Sequence, residues 1–227
     1  MRRWLLVVGV ALSNLGCASQ PTPAPAMSGE AWREAQRELA ALQSDFAPTA
    51  GTLRVRVRMT ATGHDVVMSG RGAIAQRPPN DLRMVLLGPG GMTALDLLVR
   101  GDQWRFAIPA RDQLWTSEQT SKPPRGLPVS FLRWWLLQPL SGRLLSAHQG
   151  PGGTVFVLRE GDATVRVQHR GDGLRMDRKS PSGTERMEVS GTGCSHAVYE
   201  HVEGRIRVAV QCEEAVEGVE ERAFEAR

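Results

Sequence analysis

Thr52-Leu53-Arg54-Val55-Arg56-Val57-Arg58-Met59 alternates apolar with charged side chains from Leu53 onward. Successive side chains of an extended chain point to opposite faces. This stretch is therefore a strand with one buried face (Leu53, Val55, Val57, Met59) and one wet face (Arg54, Arg56, Arg58). The same period of two recurs outward from it. Val66, Met68 and Ile74 mark a second strand, with Gly70 and Gly72 easing a bend. Leu82, Met84 and Leu86 mark a third, Leu95, Leu97 and Val99 a fourth, and Trp104, Phe106 and Ile108 a fifth; Leu114 lies on a sixth. After one interruption the alternation returns at 144–148, 155–159, 164–168, 174–178, 186–189, 197–201 and 205–211, with Gly- or Pro-rich turns between. Strands that follow one another directly are antiparallel neighbours. A sheet of ten or more such strands must curl to hide its apolar face. The expectation is a mainly β fold: an open, strongly curled antiparallel β-barrel with an N-terminal helix and a short helical lid.

The helical parts stand out by their different period. Ser28 can cap a helix running to about Ser44, with Trp32, Ala35, Leu39, Leu42 and Phe46 on one face. The interruption in the strands is Leu127-Pro128-Val129-Ser130-Phe131-Leu132-Arg133-Trp134-Trp135-Leu136-Leu137-Gln138-Pro139-Leu140-Ser141-Gly142. Pro128 suits a first helical turn and Pro139 ends the helix. The segment is apolar nearly all round, with Arg133 its only charge, so it must be largely buried. Both helices are expected on the concave side of the sheet.

The chain has 227 residues and a formal charge of +4; losing Arg2 and Arg3 with a cleaved leader brings this to +2. That is too weak to imply a nucleic-acid partner. Lys122 and Lys179 are the only lysines, and the arginines are scattered, as on a solvated surface. Arg2 and Arg3 precede a short apolar run, Trp4 to Leu12, followed by Gly16 and Cys17. The run is shorter than the ~20 residues that span a bilayer, so it reads as a secretory signal. It resembles the bacterial lipoprotein signal, which implies cleavage before Cys17 and acylation of its thiol, with palmitate-type chains as the anchor. An ordinary secretory signal, cut after Ala11 or Ala18, is the alternative. The expected organisation is a signal peptide at 1–16, a lipidated Cys17 and Pro-rich linker at 17–28, a barrel domain at 29–212 and an acidic, solvent-exposed tail at 213–227. Cys194 and Cys212 flank a hairpin in which Gly204 supplies a positive φ. Pairing His201 with Arg205 puts the two cysteines opposite one another, within reach of a disulfide in an oxidising compartment. Two buried free thiols are the alternative.

Leu132, Arg133, Trp135, Leu136 and Pro139 of the interrupting helix form a pattern that resembles the LolA/LolB lipoprotein-carrier superfamily, closest to its outer-membrane lipoprotein receptor, LolB. Arg77-Pro78-Pro79-Asn80-Asp81-Leu82-Arg83, Leu87-Gly88-Pro89-Gly90-Gly91 and Leu95-Asp96-Leu97 resemble its third and fourth strands and the loop between them. The resemblance covers roughly residues 29–212. It implies a monomeric, outer-membrane-anchored lipoprotein on the periplasmic face. Such a protein accepts lipoprotein acyl chains in a concave apolar cavity, by transfer from a soluble periplasmic carrier. The cavity walls would be Val55, Val57, Met59, Met68, Met84, Leu86, Leu97, Trp104, Phe106, Phe131, Trp134 and Trp135. Met92, the large apolar side chain of the loop Gly88 to Thr93, would serve membrane delivery. The alternatives are a structural or interaction lipoprotein of an envelope complex, with the same fold and a filled core, and a carrier for another lipid or hydrophobic ligand.

Other signals carry less. Gly70-Arg71-Gly72-Ala73-Ile74-Ala75 has dinucleotide-binding spacing but lies in an alternating strand, not at a strand-to-helix turn. His64, His148, His169, His196 and His201 show no metal-ligand spacing. No nucleophile elbow, catalytic carboxylate pair or CxxC is present. No enzyme, cofactor or metal is expected.

Overall fold

The computed structural model describes residues 27–61, 66–119, 129–191 and 194–225. The expected leader, Cys17, the linker up to residue 26, Leu127 and Pro128 lie outside the described residues. The first helix, α1 (Gly29–Asp45), is capped by Ser28, whose Oγ accepts from the Ala31 amide. It buries Ala35, Leu39 and Leu42 and packs on the last-half edge of the sheet. A first run of strands follows: β1 (Gly51–Ala61), β2 (Val66–Arg77), β3 (Asp81–Leu87), β4 (Thr93–Arg100), β5 (Gln103–Ile108) and β6 (Gln113–Thr116). After the second helix, α2 (Val129–Leu136), come β7 (Arg143–Gly150), β8 (Gly153–Glu160), β9 (Ala163–Arg170), β10 (Gly173–Ser180), β11 (Gly183–Ser190), β12 (His196–His201) and β13 (Ile206–Glu217).

All 13 strands form one antiparallel sheet in the order β6-β5-β4-β3-β2-β1-β13-β12-β11-β10-β9-β8-β7. Two meanders thus meet at the β1–β13 pair, and β6 and β7 are the two free edges. The chain passes between those edges through α2. The alternation read in β1 is the burial pattern: Leu53, Val55 and Val57 are buried, and Arg54, Arg56 and Arg58 are exposed. The mainly β, open, curled architecture is as expected, with α2 buried against the concave face by Val129, Phe131, Leu132, Trp134, Trp135 and Leu136.

Two expectations need correction. The segment from Glu213 is exposed as far as Gly218, as expected, but it does not end as a loose tail. β13 runs on to Glu217, pairing with Gly51 of β1, and a 3-10 turn follows at Glu221–Phe224. Phe224 is 1% exposed and packs on Ala75 and Leu98 of the convex face, while Arg83 donates to the Ala223 and Glu225 carbonyls. This strap explains why β4 is buried on both faces from Leu95 to Val99. Glu221 pairs with Arg77, whose hydrogen bond and charge hold the carboxyl below its usual range.

The last hairpin is also one residue out of the expected register. His201 pairs with Ile206, and the positive φ belongs to Arg205, not Gly204. The cause is a side-chain cap: His201 Nδ1 accepts from the Gly204 amide at 2.9 Å, and a Cβ on Gly204 would sit 3.0 Å from that nitrogen. Cys194 and Cys212 are nevertheless joined by a disulfide, with Cα atoms 5.2 Å apart. The Cys212 amide donates to Ser195 O, and a bulge in the β1–β13 ladder falls beside it.

Candidate functional site

Val55, Val57, Met84, Leu86, Leu97, Trp104 and Phe106 come together as expected on the concave face, with Met59 half-buried at their margin. The side chain of Met68 lies outside the described residues. These residues do not wall an open hollow. Phe131, Trp134 and Trp135 of α2 fill the space among them in one continuous core. The Phe131 ring stacks on Trp135 at 5.6 Å and on Tyr199 at 5.2 Å, so aromatic side chains fill the centre of the curled sheet.

The open space lies to one side, at the mouth where β1 begins and β2, β11 and β13 end. A cavity of about 420 Å³ is bounded there by the α1–β1 loop, the C-terminal half of α2 and these strand ends. Of the expected wall only Trp134 and Trp135 reach it. Phe46, Leu53, Leu136, Leu174 and Val189 supply the larger part of the apolar lining, with Ala215 at its rim, and Asp45, Thr49, Gln76, Ser195 and Glu217 the polar part. Leu53, Leu174 and Val189 share the inward parity already legible in their strands. The loop Phe46-Ala47-Pro48-Thr49-Ala50 carried no periodic signal that could place it.

Two buried polar atoms of residues lining this cavity lack a hydrogen-bond partner: Gln76 Oε1 and Trp134 Nε1. The Gln76 amide is oriented by its Nε2, which donates to Thr49 O at 2.8 Å. Trp135 is satisfied, its Nε1 donating to Ser195 Oγ at 3.2 Å. A cleft of a few hundred Å³ with a mixed apolar and polar lining has the dimensions of a small-ligand pocket.

Both ends of the α2 segment are held by an ionic cluster, buried at Glu185 and half-buried at Glu160. Ser130 Oγ donates to Glu185 Oε1 and Ser141 Oγ to Glu160 Oε1. Arg178 bridges the two carboxylates, at 2.5 Å to Glu185 and 3.2 Å to Glu160. Burial and then the Glu185 carboxylate, which also accepts the Tyr199 hydroxyl, push that phenol above its usual value. Arg133 turns the other way and donates to the Gly101 carbonyl beside Asp102; burial lowers its pKa. Met92 stands apart at the β3–β4 loop, 71% exposed, with Leu87 also exposed nearby. Gly90 and Gly91 adopt positive φ there, and the Gly88 amide donates to Met92 O. Among the described residues, no three His, Cys, Asp or Glu side chains assemble as a metal site.

Solved structures share this architecture. A LolA superfamily protein from Nitrosomonas europaea aligns with a TM-score of 0.57 at 10% identity, over 84% of this chain and 97% of its own. A DUF1329 family protein from Desulfovibrio piger aligns with a TM-score of 0.57 at 12% identity, over 85% of this chain and 96% of its own. No protein-family model and no curated protein sequence matches the chain. At these identities the likeness is one of fold.

Proposed function

We propose that this chain is a member of the LolA/LolB superfamily and acts as a LolB-like receptor. It is a lipoprotein anchored through Cys17 to the periplasmic face of the outer membrane, and it binds acyl chains handed over by a soluble periplasmic carrier. The mouth cavity carries this reading: a partly apolar recess at the open end of the curled sheet, walled on one side by the lid helix. Each methylene hidden there stabilises a complex by ~0.8 kcal/mol. One chain fits the cavity, and several chains require α2 to swing out of the hollow. A second reading, a structural lipoprotein, is favoured by the packed centre around Phe131.

Ala215 separates the two. It lines the cavity with an exposed side chain on the face of Leu53, so tryptophan is tolerated there while obstructing the mouth. Titration with a fluorescent single-chain fatty acid should give saturable binding to the wild type and about tenfold weaker binding to Ala215→Trp. Excluding two methylenes is enough for that loss. Equal binding by both proteins, or none by the wild type, rejects the receptor reading.

Met92 and Leu87 form an exposed apolar tip suited to touching lipid. Met92→Glu should leave fatty-acid binding unchanged and slow transfer of bound chains into liposomes. Unchanged transfer removes Met92 from the delivery step.

A further inference from the structure

A second recess, on the convex face beneath the β7–β8 turn, has the opposite chemistry. This groove of about 650 Å³ is lined by Arg166, Arg170, Arg175, Lys179 and Arg186 against one carboxylate, Asp177. The residues occupy outward positions on three adjacent strands, where register sets Asp177 opposite both Arg166 and Arg186. Asp177 neutralises part of this charge, pairing with Arg175 and Arg186 at 3.6 and 3.7 Å. Glu188 and Glu200 reach the same two arginines from outside, at 3.6 and 3.8 Å. Arg166, Arg170 and Lys179 have no carboxylate partner among the described residues. Arg166 meets only the His148 ring, at 3.5 Å.

The groove also contains a buried donor without a partner. Gln168 is 8% exposed; Arg170 Nε donates to its Oε1 at 2.9 Å, which fixes the amide and leaves Nε2 unpaired. Glycines in the turn above permit this close arrangement: a Cβ on Gly152 would lie 3.2 Å from Gln168 Nε2 and 3.7 Å from Arg170 Nε. Crowded cations repel one another, and an unsatisfied buried amide is costly. A tetrahedral oxyanion relieves both, because guanidinium forks match its oxygens and the amide adds a neutral donor.

We propose that this groove is a binding site for a phosphate group, held by Arg166 and Arg170 with Gln168 as a further donor. The same chemistry is offered by a soluble phosphate ester and by a lipid headgroup. Two probes separate them: pyrophosphate, and vesicles of phosphatidylglycerol in phosphatidylcholine. The protein should bind pyrophosphate saturably and less tightly as salt is raised. The Arg166→Ser/Arg170→Ser double variant should lose about tenfold or more, since each charged hydrogen bond removed is worth about that factor. Both side chains are exposed, so the variant should fold, with a small drop in Tm because the buried Gln168 Oε1 loses its Arg170 donor. The corresponding double lysine variant should show an intermediate loss, because it keeps the charge and loses the fork. Vesicle binding that pyrophosphate displaces makes the natural ligand a headgroup; pyrophosphate binding without vesicle binding makes it soluble. The proposal falls if neither probe binds, if the serine variant binds as well as the wild type, or if polyglutamate binds more tightly than both. The site is independent of the mouth, so Ala215→Trp should leave it unchanged.

Discussion

Arg178→Met is expected to destabilise the fold by about 3–5 kcal/mol, the usual cost of leaving a buried carboxylate, here Glu185, without its cation. Arg178 bonds Glu185 and Glu160, and each carboxylate accepts a serine hydroxyl from one end of the α2 segment. Burial alone pushes the guanidinium pKa down, but Glu185 and then Glu160 outweigh it and the pKa rises. Glu185 is only 8% exposed, so water cannot replace the lost partner. Against a typical domain stability of about 5–15 kcal/mol the loss is large and easily read from urea unfolding. Glu185→Gln in the same chain should restore part of the loss at neutral pH. A loss under about 1 kcal/mol would show that packing alone holds the lid.

That cluster was legible in the sequence, though it is easily overlooked. Leu174, Met176 and Arg178 share one face of β10, and Glu185, Met187 and Val189 share one face of β11. Period-two counting thus places a cation and an anion at inward positions on paired strands, where Arg178 lies directly opposite Glu185. The curled sheet itself followed from the same counting, because its strands are joined by short turns that leave no choice of neighbour. What the sequence did not disclose depends on contacts between distant segments. Nothing in Glu221-Arg222-Ala223-Phe224 says that it crosses to Ala75 and Leu98, since those two residues read as ordinary outward positions. The last hairpin slipped by one residue because a histidine ring, not a glycine backbone, closes the turn. The mouth cavity depends on where a non-periodic loop comes to rest. How far α2 fills the hollow is set by aromatic side-chain volume, which patterning does not measure.

The lid's role is decided most sharply at Trp135, the side chain that separates the packed centre from the mouth. One face stacks on Phe131, and its Nε1 holds Ser195, the residue that follows Cys194 of the disulfide. The disulfide therefore anchors the corner to which the C-terminal half of α2 is tied. Trp135→Ala removes that tie and opens the wall, and should cost about 3–5 kcal/mol, as large aromatic truncations in cores do. A filled-core protein would simply be weakened, because an apolar void inside a structural core has no natural occupant. A ligand-binding barrel would be weakened too, but the enlarged recess should then accept more of an acyl chain. Ligand at about a hundred times its Kd returns about 2.7 kcal/mol through mass action. Thermal melts with and without dodecanoate should accordingly show a larger ligand-induced rise in Tm for Trp135→Ala than for the wild type. A variant that loses stability and gains nothing from the chain would place Trp135 in a closed core and remove the acyl-binding role from the mouth.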